Sequence, residues 1–143
     1  MGVELLELIT AVSYLLQMQL RDPARTSHLG LAPFQARTLS FFARFPERTP
    51  NEYASRAGRD KAQVTRVLKE LESRELITRS RDPRDGRAIR IQLTEAGKRC
   101  DRELEQLRAD VAAVLCATIS DDEQAQLQRI LSKMRDGLEL PAS

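Results

Sequence analysis

The chain has 143 residues and a formal charge of only +2, from 23 basic and 21 acidic side chains, which is the size of one ordinary domain. Hydrophobic residues make up 41 % and charged residues 31 %, enough apolar material for a core and too balanced a charge for a disordered polyelectrolyte. No uncharged run reaches the ~18 residues of a membrane span, the longest near the N-terminus being Leu8 to Leu20, and Glu4 and Glu7 stand where a secretory leader carries lysines, so a cytoplasmic protein with no membrane association is expected.

Val3 to Leu20 is helical in pattern. Leu5, Ile9, Val12 and Leu16 follow one stripe, while Leu8, Leu15 and Met18 fill another. A helix apolar on more than one side must be covered on more than one side, and in so short a chain a second subunit is the natural cover. Arg21 to Gly30 reads as a loop punctuated by Pro23, Ser27 and Gly30. Pro33 suits the first turn of a second helix. Phe34, Phe41, Phe42 and Phe45, all the phenylalanines of the chain, crowd into that stretch and are expected in the core.

Two short helices with clear starts follow. Thr49-Pro50-Asn51-Glu52 is a capping box with proline at the first helical position, and Gly58 supplies a left-handed stop after Ala57. Asp60-Lys61-Ala62-Gln63 is a second capping signal, after which Val64, Val67, Leu68 and Leu71 recur at i, i+3, i+4 and i+7. Helix, short glycine turn, helix is the helix-turn-helix pattern.

The period then changes to two. Ile89, Ile91 and Leu93 alternate with Ala88, Arg90 and Gln92, and Ile77 to Arg81 is the partner strand. Between them Asp82-Pro83-Arg84-Asp85-Gly86-Arg87 is turn chemistry with a basic tip. Thr94 caps a long helix running to about Ala117, whose Cys100, Leu104, Leu107, Val111, Val114 and Thr118 step by four and three, like a coiled-coil seam. Ser120 and Glu123 form another capping box for a last helix with Leu127, Ile130, Leu131, Met134 and Leu138 on one face, ended by Gly137 and Pro141. The seam and the apolar first helix together point to a homodimer.

Catalysis finds no support: there is no glycine-rich phosphate loop, nucleophile elbow or metal-ligand cluster. No enzyme activity, catalytic residue, metal or cofactor is expected. His28, the only histidine, reads as an ordinary loop residue, and with just two cysteines it cannot complete a structural zinc site. Asp121 and Asp122 are charges that complement a helix dipole. Cys100 and Cys116 lie on one helix with their backbones about 24 Å apart, beyond the ~7 Å that a disulfide tolerates. They read as structural thiols, the alternative being a thiol-based oxidant sensor.

The charge is unevenly placed. Arg56 to Arg99 holds 13 basic and 7 acidic residues, a local +6, while the remainder is −4. One basic lobe on an acidic molecule suits a polyanionic partner. With the valine-leucine stripe inward, Lys61, Thr65, Arg66 and Lys69 face outward, and Gln63 sits at the helix start. Laid in the major groove of double-stranded DNA, arginine pairs with guanine O6 and N7 and glutamine with adenine, while Lys69 meets phosphate. Arg84 and Arg87 on the hairpin tip reach the adjoining backbone or a narrow minor groove. The alternative is a winged-helix module that binds protein.

These segments also carry a resemblance. Leu29-Gly30-Leu31-Ala32-Pro33-Phe34-Gln35-Ala36 is similar to a G-L-T-x-x-Q signature, and Asp60-Lys61-Ala62-Gln63-Val64-Thr65-Arg66 to a recognition-helix start. Asp82-Pro83-Arg84-Asp85-Gly86-Arg87, followed after five residues by Leu93-Thr94-Glu95-Ala96-Gly97, resembles a wing signature. The family is the MarR type of winged helix-turn-helix transcriptional regulators, and the similarity spans Leu29 to Gly97. It implies a single domain over 1–143, mostly α with a small β-hairpin wing, in which 30–95 is the winged helix-turn-helix lobe and 1–29 and 96–143 are N- and C-terminal dimerisation helices. It further implies a DNA-binding regulator, a repressor acting as a homodimer on a pseudo-palindromic operator with recognition helices roughly 34 Å apart. In such proteins a small aromatic or apolar anionic effector binds between dimer helices and lobe and releases the DNA; no effector-binding residue is assigned. The resemblance implies that Gln63, Thr65 and Arg66 face bases, that Asp85 braces the wing by pairing with a basic neighbour, and that Arg84 or Arg87 touches DNA. Two departures stand out. Glu75 occupies the position of a family glycine, so that corner is expected to be built differently, and Gly86 stands where many members carry arginine, which removes one minor-groove contact.

Overall fold

Proline and short polar caps set most helix starts in the computed structural model, which describes residues 1–139. Helix α1 is Gly2–Leu20, followed by the single turn α2 (Pro23–Thr26) and a 3-10 turn Ser27–Leu29. Then come α3 (Pro33–Arg44), α4 (Pro50–Ala57), α5 (Lys61–Ser73), the hairpin β1 (Ile77–Arg81) and β2 (Ile89–Leu93), α6 (Glu95–Cys116) and α7 (Asp121–Glu139). Two compact units divide this chain, Met1–Arg108 and the part from Ala109 onward.

The N-caps form where the sequence places them. Thr49 Oγ1 accepts the Glu52 N–H at 3.2 Å and Asp60 Oδ1 the Gln63 N–H at 2.8 Å. In α7 the exchange is reciprocal: Ser120 Oγ accepts from Glu123 N at 3.2 Å and Glu123 Oε2 accepts from Ser120 N at 2.8 Å. Each such cap is worth about 1 kcal/mol. Gly58, at φ 62°, closes α4 in the left-handed region, so α4 and α5 are joined by a tight turn.

The core of the first unit gathers Leu39 and Phe42 from α3, Tyr53 from α4, Val64, Val67, Leu68 and Leu71 from α5, and Leu76, Ile77 and Ile91 around the hairpin. Of the phenylalanines only Phe42 is fully buried; Phe34 and Phe41 pack half-buried at the edge and Phe45 is also half-buried. Tyr53, not counted in that stretch, is the aromatic hub, with ring centroids 4.5 Å from Phe41 and 5.5 Å from Phe42. The buried Thr38 hydroxyl donates to Phe34 O at 2.7 Å and lies 3.0 Å from Tyr53 OH.

Two expectations are corrected, and the corner at Glu75 is defined. The stretch Arg21 to Gly30 is not a loop: Asp22 Oδ1 caps Ala24 N at 3.0 Å with Pro23 at the first position, and Leu29 is buried. Asp-Pro is a start signal there, which reading proline as punctuation overlooks. Gly137 does not end the last helix, which runs through it to Glu139; Pro141 lies outside the described residues. At the corner after α5, the position of the family glycine is held by a left-handed glutamate. Glu75 takes the left-handed conformation itself, at φ 59°, with a strain of about 1 kcal/mol for a residue bearing a Cβ.

The hairpin pairs Ile77 with Leu93, Arg79 with Ile91 and Arg81 with Ile89. Its base is welded to its neighbours. Thr94 N–H donates to Leu76 O at 3.0 Å, and Thr94 Oγ1 donates to Glu75 O at 2.6 Å while accepting the Gly97 N–H at 3.1 Å. A Cβ on Gly97 would collide with the Leu76 carbonyl oxygen, so the first turn of α6 can lie against β1 only through glycine.

Helix α1 has no buried residue; Leu6, Leu8, Tyr14 and Leu15 are each at least 60 % exposed. The stretch Gly2–Leu29, which contains it, is long and apolar enough to cross a membrane by length and composition alone. Counting uncharged runs misses this because Glu4 and Glu7 interrupt the run without removing its apolar excess. In α6, Leu104 and Leu107 are buried whereas Val114 is exposed, and α7 buries none of its residues, leaving Leu127, Ile130 and Leu131 open.

Gly97→Ala should destabilise the fold by about 2–4 kcal/mol through that collision, and Glu75→Gly should stabilise it by up to about 1 kcal/mol through relief of the left-handed strain. Urea midpoints read both; a neutral Gly97→Ala would refute the close approach.

Candidate nucleic-acid interface

Burial orients α5. Its stripe Val64, Val67, Leu68 and Leu71 is sealed in the core, so Lys61, Thr65, Arg66 and Lys69 are exposed on the opposite face and Gln63 is half-buried in the first turn. Thr65 Oγ1 donates to Lys61 O at 2.8 Å, which occupies its proton and leaves its lone pairs and methyl group outward. The Arg66 side chain is 73 % exposed, with Nε 3.8 Å from Glu70 Oε1.

The hairpin tip is ordered by its acids acting on backbone. Asp82 Oδ1 accepts the Arg84 N–H at 2.8 Å, and that bond, first among several, holds the Asp82 carboxyl below its ordinary value. Asp85 Oδ1 accepts the Arg87 N–H at 3.1 Å, an Asx-type turn where the resemblance implies a pairing with a basic side chain. Arg84, Asp85, Gly86 and Arg87 are all exposed.

Sequence reasoning missed the residues that hold this surface in place. Arg79 grips Glu72 with two parallel bonds, Nε to Oε2 at 2.9 Å and an Nη to Oε1 at 3.2 Å, tying β1 to α5. Its hydrogen bond holds the Glu72 carboxyl below its usual range. Arg74 donates from both Nη groups, at 2.7 Å each, to the carbonyls of Leu29 and Gly30, tying the end of α5 to the turn before α3. Gln35 Nε2 donates to Glu70 Oε2 at 2.8 Å. None of these spacings is an i,i+4 pair on one helix, so periodicity carries no signal for them.

The remaining candidates resolve as follows. His28 is not isolated from acids: its Nε2 contacts Glu103 Oε2 of α6 in an exposed pair, invisible in sequence because 75 positions separate them. Cys100 is half-buried, and burial first, then Glu103, push its thiol pKa up, the opposite of an activated thiolate. Cys116 is the last residue of α6 and half-buried. Among the described residues no group of three acidic, histidine or cysteine side chains is arranged to hold a metal. An open cleft of about 550 Å³ lies between Phe42, Pro46, Leu93, Lys98 and Arg102; at its edge Asp101, raised by burial, accepts from Ser40 Oγ at 2.9 Å.

Residues 29–88 match a family model described as MarR family. The HTH-type transcriptional regulator YdgJ of Bacillus subtilis is 26 % identical over 109 residues, covering 76 % of this chain and 66 % of that protein. The transcriptional repressor MprA of Escherichia coli is 31 % identical over 90 residues, covering 63 % of this chain and 51 % of that protein. The chain thus spans between half and two thirds of the length of these relatives. Among solved structures, a cysteine-to-serine mutant of MarR from Escherichia coli complexed with operator DNA superposes with a TM-score of 0.74 at 26 % identity, over 92 % of this chain and 94 % of that one.

Because the folded Glu72 pKa is depressed, its pairing with Arg79 stabilises the protein above the ordinary glutamate value of 4.5. That contribution is lost as pH falls through the lowered folded value. Glu72→Gln should therefore be less stable than wild type at neutral pH, with the two urea midpoints converging in acid; a gap independent of pH would remove the pair as its source.

Proposed function

We propose, from the match of residues 29–88 to the MarR family model, that this chain is a MarR-family member and a cytoplasmic transcriptional repressor, not an enzyme, that binds a pseudo-palindromic operator as a homodimer. Helix α5 enters the major groove, with Gln63, Thr65 and Arg66 toward base edges and Lys61 and Lys69 toward phosphate. Arg84 and Arg87 lie on the flanking backbone or minor groove, and Asp85 shapes the turn that carries them. The observation that carries this reading is that a face of cations and hydrogen-bonding groups is exposed on a helix whose opposite stripe is fully buried. A reader of DNA needs side chains held by a rigid element, and the sealed stripe supplies that rigidity.

The homodimer is supported by α1, none of whose apolar residues is buried in the single chain. Covering them with a second copy is the dimerisation role proposed for 1–29 and 96–143, with 30–95 as the DNA-binding lobe. Release by a small aromatic or apolar anionic effector follows if that ligand favours a subunit spacing unfit for DNA, because only differential affinity shifts the population. The raised Cys100 thiol pKa speaks against Cys100 as the trigger of an oxidant sensor.

The test is duplex binding across salt concentrations. Arg66→Ala should weaken binding to a selected duplex by about 1–3 kcal/mol and relax one base position, while Arg84→Ala with Arg87→Ala should weaken all duplexes alike and lower the salt slope by about two. A protein-binding module would show no duplex affinity to lose. In sedimentation without detergent the wild type should run as a dimer and Leu8→Glu as a weakened one, with DNA affinity falling in step. A wild-type monomer, or one indifferent to duplex DNA at low salt, would overturn the proposal.

A further inference from the structure

On the exposed face of α5 the Arg66 guanidinium lies beside a carboxylate that is itself held from the other side. Arg66 Nε stands 3.8 Å from Glu70 Oε1, one turn further along. The second oxygen, Glu70 Oε2, accepts from Gln35 Nε2 of α3 at 2.8 Å. Gln35 is fixed in turn, its Oε1 accepting the Ala32 N–H at 2.9 Å at the start of α3. Three side chains thus form a relay from the frame of the lobe to the base-facing arginine.

An ordinary surface pair of this spacing gains little, because two long side chains must both be ordered in water. Here one is ordered already. With the carboxylate set by α3, only Arg66 remains to be fixed, and the 3.8 Å ion pair, longer than a hydrogen bond, is made on its Nε side. A guanidinium carries the planar fork that matches a guanine edge.

We propose that Glu70, anchored by Gln35, is a specificity-determining positioning residue that orients the Arg66 guanidinium for a guanine. This rests on the reading of α5 as a major-groove helix. It also carries an opposing consequence. A carboxylate on this face repels phosphate at every sequence, so it lowers affinity for any duplex while sharpening the choice among them. A residue that merely packed the lobe would do neither.

The experiment compares wild type, Glu70→Gln, Gln35→Ala, Arg66→Ala and the Arg66→Ala/Glu70→Gln double variant. Each is titrated with a duplex selected by the wild type from a random library and with a scrambled duplex, at one salt concentration. Glu70→Gln should bind the scrambled duplex more tightly and lower the selected-to-scrambled ratio by about fivefold. Gln35→Ala should lower the ratio in the same direction, and in the Arg66→Ala background the effect of Glu70→Gln on the ratio should vanish. An unchanged ratio in Glu70→Gln overturns the proposal, as does a fall that persists without Arg66. Equal loss of both duplexes with a lowered unfolding midpoint assigns Glu70 to packing and overturns it too. A wild type that selects no duplex fails the major-groove reading itself, and this inference with it.

Discussion

The carbonyl of Leu76 is the point at which α5, the hairpin and the start of α6 are locked together. It accepts the Thr94 N–H while the Thr94 hydroxyl reaches the preceding Glu75 carbonyl, so the start of α6 is bonded to the corner between α5 and β1. That approach is closer than any side chain permits, and the absent Cβ of Gly97 is what allows it. The left-handed turn at Glu75 aims the chain from α5 into the hairpin, and without it the bond could not form. A strained residue persists here because its neighbours over-determine its conformation.

Around this lock, arginines divide into two kinds. Arg74 and Arg79 spend their donors inward, on the Leu29 and Gly30 carbonyls and on Glu72, and bind the segments flanking α5 to it. Arg66, Arg84 and Arg87 remain exposed. The local positive charge of the lobe is therefore not one undifferentiated patch. Part of it is structural, and the part left over is presented on a helix face and a hairpin tip whose acids, Asp82 and Asp85, are engaged by backbone N–H groups.

The terminal helices pose a separate physical question. A helix such as α1, with apolar residues around its circumference and none of them buried, cannot be at its free-energy minimum as an isolated surface. The same composition that marks it as long enough for a bilayer suits a subunit interface, where Glu4 and Glu7 can remain at the wet end.

Much of this was legible in the residues themselves. The Thr49, Asp60 and Ser120 caps, the Val64–Leu71 stripe and the alternation of Ile89, Ile91 and Leu93 are local signals, and local signals are what a linear pattern records: α4 begins at Pro50, α5 at Lys61 and the strands at Ile77 and Ile89, as expected. The outward face of α5 followed from its inward one. What only the folded chain decided are contacts between positions far apart: Gln35 with Glu70, Arg74 with Leu29 and Gly30, His28 with Glu103. Whether Glu75 bends or breaks the corner was likewise undetermined locally, since a left-handed glutamate is unfavourable alone and is held there only by the hydrogen bonds that tertiary structure brings to it.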